Sequence, residues 1–344
     1  MSTQSSPILI TGVAGFIGAA VAERLLSRGD AVVGIDNLND YYNPALKRAR
    51  LERLRQLPGA AERFVFGQLD LEDGLSLAEL FAAEQPRAVL HLAAQAGVRH
   101  SIENPAVYIQ SNLVGFGHVL EGCRHQGVAH LVYASSSSVY GGNRNLPFSE
   151  QQPVNHPVSL YAATKKANEL MAHTYSHLYG LPATGLRFFT VYGPWGRPDM
   201  APMLFARAIL AGEPIKVFNG GQMQRDFTYI DDIAEGVVRC LDKPASANPD
   251  FDPLHPDPAT AAVPHRLFNI GNSQPIALMR FIEVLEAALG REAIRDFQPM
   301  QPGDVLATAA DTSALEAWVG FRPSISIEAG VERFARWYRE YYGV

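Results

Sequence analysis

Cysteine is scarce in this sequence of 344 residues, which contains only Cys123 and Cys240, each inside an apolar stretch. Thiols this isolated favour buried free cysteines over a disulfide or a zinc site, both of which need neighbouring ligands. We therefore expect no metal. Free thiols persist in a reducing compartment, so their presence favours the cytoplasm.

Long apolar runs and basic stretches are also missing. No segment approaches the roughly 20 apolar residues that cross a bilayer, and MSTQSSPILITG lacks the basic and apolar regions of a signal peptide. The formal net charge is −6, with no run of lysine or arginine, which makes a nucleic-acid backbone an unsuitable partner. The sequence thus predicts a cytoplasmic protein that binds neither nucleic acid nor a membrane.

Short apolar runs alternate with amphipathic stretches through the first half of the chain. The runs PILITG, AVVGID, RFVFGQLD, AVLHLAA and HLVYAS are typical of strands buried on both faces, and the stretches between them are typical of helices. This alternation predicts an α/β fold of Rossmann type with a doubly wound parallel sheet. We expect residues 1–190 to form this Rossmann-type domain, to which some later segments return. Residues 191–344 should form mainly a smaller α/β substrate-binding domain.

A glycine pattern follows the first predicted strand. Gly12, Gly15 and Gly18 form G-x-x-G-x-x-G between a strand and a helix, where small residues let a pyrophosphate reach the backbone. Alone, the pattern is equally that of a tight turn. Asp36, however, ends the next strand 18 positions after Gly18, close to the spacing of a carboxylate that binds the cofactor ribose. We therefore expect a bound dinucleotide.

Two acidic residues refine that expectation. Asp36, with no basic residue directly after it, favours NAD over NADP, because a 2′-phosphate would repel the carboxylate. Asp70 ends the third predicted strand and is a candidate either for contact with the adenine or for capping a helix.

Tyr161 and Lys165 lie one helical turn apart in SLYAATKKANELMAHTYSHLYG, so they share one face of a helix. A phenol with a pKa of about 10 is a poor base at pH 7. A nearby ammonium, joined by a positive nicotinamide, lowers that pKa, and the pair predicts a general base for alcohol oxidation. The serines Ser135 to Ser138 end the fifth strand at the same sheet edge. They can bind the same hydroxyl, although alone they indicate only a polar strand end.

Several segments occur in an order that resembles the extended short-chain dehydrogenase/reductase family, and within it the nucleotide-sugar 4-epimerase branch: TGVAGFIG, HLAAQAGVRHS, SSSSVYG, YAATK, RFFTVYGPWGRPDM and RDFTYIDDI. The resemblance runs from Ile8 to about Tyr342 and is greatest to the enzymes that act on UDP-glucuronate. It implies a tightly bound NAD that is recycled in each turnover. It also implies a UDP-sugar substrate, UDP-glucuronate or UDP-galacturonate, and a homodimer formed through the helices near residues 105–125 and 161–179.

The resemblance assigns roles to individual residues. It implies that Tyr161 is the base, that Lys165 orients it and contacts the nicotinamide ribose, and that Ser136 helps to polarise the sugar 4-hydroxyl. Ser137 or Ser138 could share that work. The further residues implied to bind the cofactor are Phe16, Ile17, Asn37, Leu71, Leu92, Ala93, Ala94, Gln95 and Asn112.

Substrate recognition is implied for residues of the second half. Arg225 is expected to contact the diphosphate, and Arg197 to face the sugar end, where a carboxylate can accept both arms of its guanidinium. A salt bridge between Arg197 and Asp199 is the alternative. Thr190 replaces the asparagine of many galactose epimerases, which points away from UDP-galactose. Asp304 is a candidate contact of the substrate or of the nucleotide-binding arginines.

These features together predict an NAD-dependent 4-epimerase with no net redox change. A 4-keto uronic acid can lose carbon dioxide, but decarboxylases of the family usually carry an acidic residue before VYG, where this chain has only serines. Simple epimerisation is therefore favoured. The alternatives are an epimerase of UDP-glucose and UDP-galactose or of an N-acetylated hexosamine or uronate, a UDP-glucuronate decarboxylase, and a catalytically silent NAD-sensing regulator.

Overall fold

A computed structural model describes residues 6–301 and 304–344 of the chain. Its strands are β1 (Ile8–Thr11), β2 (Val32–Asp36), β3 (Phe64–Gln68), β4 (Ala88–His91), β5 (His130–Ser136), β6 (Ala183–Phe188), β7 (Thr190–Tyr192), β8 (Pro214–Phe218), β9 (Gln224–Tyr229), β10 (His265–Ile270), β11 (Pro275–Ala277) and β12 (Ile294–Gln298). Its helices are α1 (Phe16–Arg28), α2 (Pro44–Arg55), α3 (Ala60–Arg63), α4 (Gly74–Glu84), α5 (His100–Glu103), α6 (Pro105–Ile109), α7 (Gly115–Gln126), α8 (Leu160–Tyr179), α9 (Ala201–Ala211), α10 (Ile230–Asp242), α11 (Leu278–Leu289), α12 (Ser313–Val319) and α13 (Ile327–Tyr342).

Seven strands form a parallel sheet in the order β10-β6-β5-β4-β1-β2-β3. The predicted strands all lie in it, and the predicted Rossmann-type fold is confirmed. Strands β1, β4 and β6 are buried along their whole length, as expected of strands covered on both faces. Strand β10, from the later half of the chain, extends the sheet beyond β6, with His265 paired to Ala183.

Helices cover both faces of this sheet because successive side chains of each strand point in opposite directions. On one face, Ile8 and Ile10 of β1 belong to a core shared with α1 and α10. On the other face, Leu9 belongs to a core shared with α4, α7 and α8. The sheet is thus the middle layer of three.

A three-stranded sheet in the order β11-β9-β7 and a parallel pair, β12-β8, lie outside the seven-stranded sheet. Helices α9, α11 and α13 pack around a second core, in which the ring of Phe227 stacks on that of Phe281 at a centroid distance of 4.6 Å. Among the residues described, no helix combines the length and the apolar character needed to cross a membrane.

Helix α8 carries the tyrosine and lysine singled out in the sequence, and both of its ends are fixed locally. The Ser159 hydroxyl oxygen accepts a hydrogen bond from the Ala162 N–H at 3.1 Å, which satisfies a donor of the first turn. Gly180 ends the helix with φ 69°, a left-handed conformation that glycine adopts without strain.

A buried ion pair joins α8 to the sheet. The Arg187 guanidinium, on β6, donates to both oxygens of Glu169, Nε to Oε1 at 2.8 Å and Nη2 to Oε2 at 3.0 Å. The Ser135 hydroxyl, on β5, donates to the same Oε1 at 2.6 Å. Burial alone would raise the pKa of Glu169, but Arg187 outweighs it and the pKa is lowered. The pair therefore holds α8, β5 and β6 together just behind the strand ends.

Replacement of Glu169 by alanine should destabilise the protein strongly, because Arg187 would remain as an uncompensated buried charge. We expect a loss of about 3–5 kcal/mol in the free energy of unfolding, measured by urea denaturation. Glu235→Ala is the matched control, since Glu235 pairs with Arg24 and Arg239 near the surface and should cost less than about 1 kcal/mol. Equal losses in both variants would contradict the importance of burial.

Candidate active site

A deep cavity opens at the carboxyl ends of the parallel strands, beside β1, where the strand order reverses. Ligands bind at this position in doubly wound folds, since the loops diverge there. The predicted site residues that line it are Gly12, Gly15, Phe16, Ile17, Gly18, Asp36, Asn37, Asp70, Leu71, Leu92, Ala93, Ala94, Gln95, Ser136, Ser137, Ser138, Tyr161, Lys165, Thr190 and Arg197.

Three predicted residues do not line this cavity. Asn112 is buried behind it, where its Oδ1 accepts the Gln95 N–H at 2.8 Å and its Nδ2 donates to the Gln95 carbonyl at 3.1 Å. It therefore supports a lining residue. Arg225 and Asp304 lie together near Arg99, which donates to the Asp304 carboxylate at 3.0 Å. Burial lowers the pKa of Arg225, and Asp304 opposes that effect.

The glycine turn leaves the backbone bare at the N-terminus of α1. Gly12 has φ 73°, and a Cβ on it would lie 2.7 Å from the Ala93 nitrogen. A Cβ on Gly18 would lie only 2.1 Å from the Gly12 carbonyl oxygen. Close packing of turn, helix and β4 thus requires glycine, and the exposed N–H groups at the positive helix end fit a pyrophosphate.

Asp36 presents a carboxylate to the cavity at the end of β2. It accepts the N–H groups of Ala14 at 3.2 Å and Leu38 at 2.9 Å. Burial raises its pKa, and Lys47 opposes that effect from 4.0 Å away. The sequence shows no basic residue directly after Asp36, but the fold brings Lys47 to it from α2. The Lys47 ammonium donates its hydrogen bonds to Asn39, at 2.8 Å and 2.9 Å.

Asp70 lies at the same end of the cavity, as one of the two sequence interpretations expected. Its Oδ2 accepts from the Asn37 amide at 2.9 Å. The alternative, that Asp70 caps the following helix, is wrong, because Asp73 caps α4 by accepting the Ser76 N–H at 3.0 Å. Asp70 therefore orders the polar wall next to Asp36.

Tyr161, Lys165 and Ser136 come together in the middle of the cavity. The Lys165 ammonium donates to the Ala134 carbonyl at 2.8 Å, and burial lowers the pKa of Lys165 to about 8. Ser136 is close enough to Tyr161 to lower the phenol pKa by a hydrogen bond. The Ser136 oxygen also accepts the Ser138 N–H at 3.1 Å, so it closes the strand end as well.

The electrostatics of Tyr161 differ from the expectation. Burial raises its pKa, and the groups that oppose this are Ser136 and Arg197, whereas Lys165 was expected to do so. The Lys165 ammonium donates instead to a backbone carbonyl, and burial lowers its own pKa. In the protein without ligands, Tyr161 is therefore a protonated phenol at neutral pH.

Arg197 forms the ion pair with Asp199 that was the alternative interpretation and also lines the cavity, while its contact with a sugar carboxylate stays a prediction. The ion pair joins Nε to Oδ1 at 3.1 Å and Nη2 to Oδ2 at 2.6 Å, and Thr190 also lines the cavity. Burial alone would lower the pKa of Arg197, but Asp199 outweighs it and the pKa is raised. A fixed cation thus lies close enough to Tyr161 to affect its pKa.

Sequence reasoning missed the contribution of residues 38–47. Asn39, Tyr41, Tyr42 and Lys47 all line the cavity, although no site residue was predicted between Asn37 and Asp70. The available signal was the polar and aromatic run NLNDYY directly after the ribose carboxylate. Apolar lining residues such as Phe188 and Met200 gave no such signal.

The expectation about cysteine is confirmed, since Cys123 and Cys240 are buried and free. Burial raises the pKa of both thiols, that of Cys240 to about 12, which makes them unreactive. Within residues 6–301 and 304–344, no three side chains of the metal-binding types form a group that could hold an ion.

Comparison with known proteins agrees with this geometry. The model of the NAD dependent epimerase/dehydratase family matches residues 8–252. UDP-glucuronate 4-epimerase 1 of Arabidopsis thaliana is 46% identical over 341 residues, which are 98% of this chain and 77% of that protein. UDP-glucuronic acid 4-epimerase from Bacillus cereus, solved with UDP-glucuronic acid and NAD, is 31% identical with a TM-score of 0.86, over 98% of this chain and 100% of that one. UDP-glucose 4-epimerase from Thermotoga maritima, solved with UDP-glucose, is 27% identical with a TM-score of 0.82, over 98% and 99%.

Replacement of Lys165 by methionine should stabilise the cofactor-free protein at pH 7. Its pKa, about 8 in the fold, lies below that of an unfolded lysine, so the buried ammonium destabilises the fold fully below pH 8 and progressively less as the pH rises towards 10.5. We expect a gain of roughly 2 kcal/mol in the free energy of unfolding at pH 7, shrinking towards pH 10. Urea denaturation across this range measures it, with the exposed Lys216→Met as control. A gain in the free energy of unfolding that does not change with pH would contradict the lowered pKa of Lys165.

Proposed function

Because the chain belongs to the NAD dependent epimerase/dehydratase family, we propose that it is a 4-epimerase that interconverts UDP-glucuronate and UDP-galacturonate. The observation that carries the proposal is that one cavity places the cation of Arg197 close enough to Tyr161 to lower the phenol pKa. A base for the 4-hydroxyl and a cation for a sugar carboxylate are thus available to a single pyranose ring. The Bacillus cereus enzyme, with UDP-glucuronic acid and NAD in its structure, supports the same substrate.

NAD is the cofactor that fits the other end of the cavity. The bare glycine turn at the N-terminus of α1 accommodates a pyrophosphate, and the Asp36 carboxylate can accept the hydroxyls of an adenosine ribose. When bound, NAD would accept the hydride from C4 and return it to the opposite face of the 4-keto sugar. Its oxidised ring would also add a positive charge to the site.

The side chains of the protein transfer the proton and position the sugar. Tyr161 takes the proton of the 4-hydroxyl and returns it after the keto sugar has turned over in the cavity. Ser136, which is close enough to Tyr161 to lower the phenol pKa, contacts the same hydroxyl. Lys165, whose ammonium lies at the Ala134 carbonyl, orients the cofactor ribose and adds positive charge.

The serines before Val139 favour epimerisation over decarboxylation. Ser136, Ser137 and Ser138 line the cavity, and none of them can act as an acid at C5 of the sugar. A carboxylate held by Arg197 in the plane of the 4-ketone would also resist loss of carbon dioxide, because the breaking bond would overlap poorly with the carbonyl.

Assembly and location are part of the same proposal. We infer a homodimer in which α8 and the region of α6 and α7 pair, because these segments expose Leu170, Leu178, Val107 and Val114, and sedimentation equilibrium tests this. The buried free thiols support a reducing, cytoplasmic location.

The first experiment is product analysis by NMR with no added NAD, starting from UDP-glucuronate and separately from UDP-glucose. We expect UDP-galacturonate from the first substrate and no UDP-galactose from the second. Tyr161→Phe should retain its NAD and lose roughly 10²–10⁴-fold in turnover, the usual contribution of a general base. A pentose product would identify a decarboxylase. Formation of UDP-galactose would show that Arg197 does not determine specificity. An active Tyr161→Phe variant would show that Tyr161 is not the base.

Arg197→Ala should weaken the binding of UDP-glucuronate while leaving that of UDP nearly unchanged. A hydrogen bond to a charged group contributes about 1.5–3 kcal/mol, so we expect a Kd for UDP-glucuronate about 10- to 150-fold higher, measured by calorimetry. Arg225→Ala provides the contrast, because a contact to the diphosphate should weaken both ligands alike. Equal losses for both ligands in Arg197→Ala would assign this arginine to the diphosphate or to folding.

A further inference from the structure

Only one edge of the Arg197 guanidinium is hydrogen-bonded to Asp199. Its Nε and Nη2 donate to the two oxygens of Asp199, which occupies the side-on edge of the planar group. Among the described residues the hydrogen bonds of this guanidinium come from Nε and Nη2 and none from Nη1, although the Tyr41 hydroxyl is close enough to Arg197 for its pKa to be affected. The side chain lines the cavity. The remaining end-on edge, formed by Nη1 and the outer hydrogen of Nη2, can therefore receive a second carboxylate in bidentate geometry.

Asp199 is itself held from the first half of the chain. The Tyr41 hydroxyl donates to its Oδ2 at 3.1 Å, across an interval of 158 residues. Burial, followed by the negative charge of Asp199, raises the pKa of Tyr41 to about 12, so the phenol remains a donor at neutral pH. Burial alone would raise the pKa of Asp199, but Arg197 and Tyr41 outweigh it and the pKa is lowered.

The position of Tyr41 depends on a close approach to Gly97. A Cβ on Gly97 would lie 2.6 Å from the Tyr41 hydroxyl, and Gly97 has φ 106°, so no larger residue fits there. The ring of His100 packs against Tyr41 at a centroid distance of 4.9 Å. The phenol is thus fixed from two sides.

The loop that carries Arg197 is fixed by Arg50 of α2. This side chain is 1% exposed and donates to the Trp195 carbonyl at 3.1 Å and the Gly196 carbonyl at 3.2 Å. Its Nη1 also donates to the Ala14 carbonyl in the glycine turn at 2.9 Å. Residues 37–55 therefore connect the cofactor end of the cavity to the loop at the sugar end.

We propose that Asp199 and Tyr41 are positioning residues that hold Arg197 with its end-on edge directed at the sugar carboxylate, which makes residues 37–55 an element of substrate specificity. The inference rests on the proposed function, because it assigns the carboxylate of that substrate to Arg197. An arginine fixed in this way binds a carboxylate without first losing rotamer freedom. The sugar carboxylate joins the Asp199–Arg197 pair and leaves it intact.

The two possible roles of Asp199 predict opposite changes in the Kd of UDP-glucuronate when its charge is removed. A second carboxylate near Arg197 is repelled by Asp199, so an Asp199 that merely competes for the guanidinium would weaken uronate binding. Removal of its charge would then tighten the complex. If Asp199 acts by positioning, its removal loosens Arg197 and weakens the complex.

The experiment titrates UDP-glucuronate and UDP by calorimetry into NAD-loaded protein that carries Tyr161→Phe, so that no turnover occurs. Asp199→Asn should raise the Kd of UDP-glucuronate about tenfold, and Tyr41→Phe about threefold, because residues in contact are energetically coupled. The Kd of UDP should stay within about twofold in both variants, which also reports that they are folded. Asp242→Asn, which alters an exposed pair with Arg28, should change neither ligand.

Combination with Arg197→Ala separates positioning from a general structural role. In that background, Asp199→Asn should cause no further rise in the Kd of UDP-glucuronate, because the group it positions is gone and only its repulsion of the sugar carboxylate is removed. Effects that multiply, an unchanged Kd in the single Asp199→Asn variant, or tighter binding in it would each overturn the inference.

The activity of the wild-type protein distinguishes failure of the positioning inference from failure of the proposed function. If it converts UDP-glucuronate and Asp199→Asn does not change binding, the positioning inference fails alone. If it neither binds nor converts UDP-glucuronate, the proposed function fails and the inference fails with it.

Discussion

The buried ion pair between Glu169 and Arg187 is the interaction on which the arrangement of the site depends. It joins α8, which carries Tyr161 and Lys165, to β6 and, through the Ser135 hydroxyl, to the strand that ends in Ser136. A bidentate pair in a dry interior has little freedom to shift, because any change leaves a charge without a partner. Tyr161, Lys165 and Ser136 thus keep their relative positions, as the proposed turning of a sugar ring between them requires.

Burial sets the protonation states within that frame. It raises the pKa of Tyr161 and lowers that of Lys165, so both groups are held towards their neutral forms in the protein alone. The protein offers Ser136 and Arg197 as the opposing influences on Tyr161. If Tyr161 is the base, as we propose, a phenol that stays protonated until the positive cofactor ring is bound suits an enzyme that must not oxidise its substrate without reducing it again.

The elements that sequence analysis predicted correctly depend on local order. The strands, the glycine turn and the spacing of Tyr161 and Lys165 follow from apolar periodicity, from backbone sterics and from the helical repeat. Tyr41 and Arg50 escaped because their roles come from contacts across 158 and 145 residues, which no local pattern encodes. Asn112 was placed at the cofactor, yet it supports Gln95 from behind, because sequence position specifies a neighbourhood and not a direction.

In the proposed reaction, C4 of the sugar loses and regains the same hydride within one site. Its most direct test is conversion of UDP-glucuronate deuterated at C4, in ordinary water, by enzyme with no added NAD, followed by NMR of the product. We predict UDP-galacturonate that keeps its deuterium at C4, and, in a parallel reaction of unlabelled substrate in deuterated water, no deuterium at C4 or C5. Loss of the label from C4, or uptake of deuterium at C5, would contradict the mechanism.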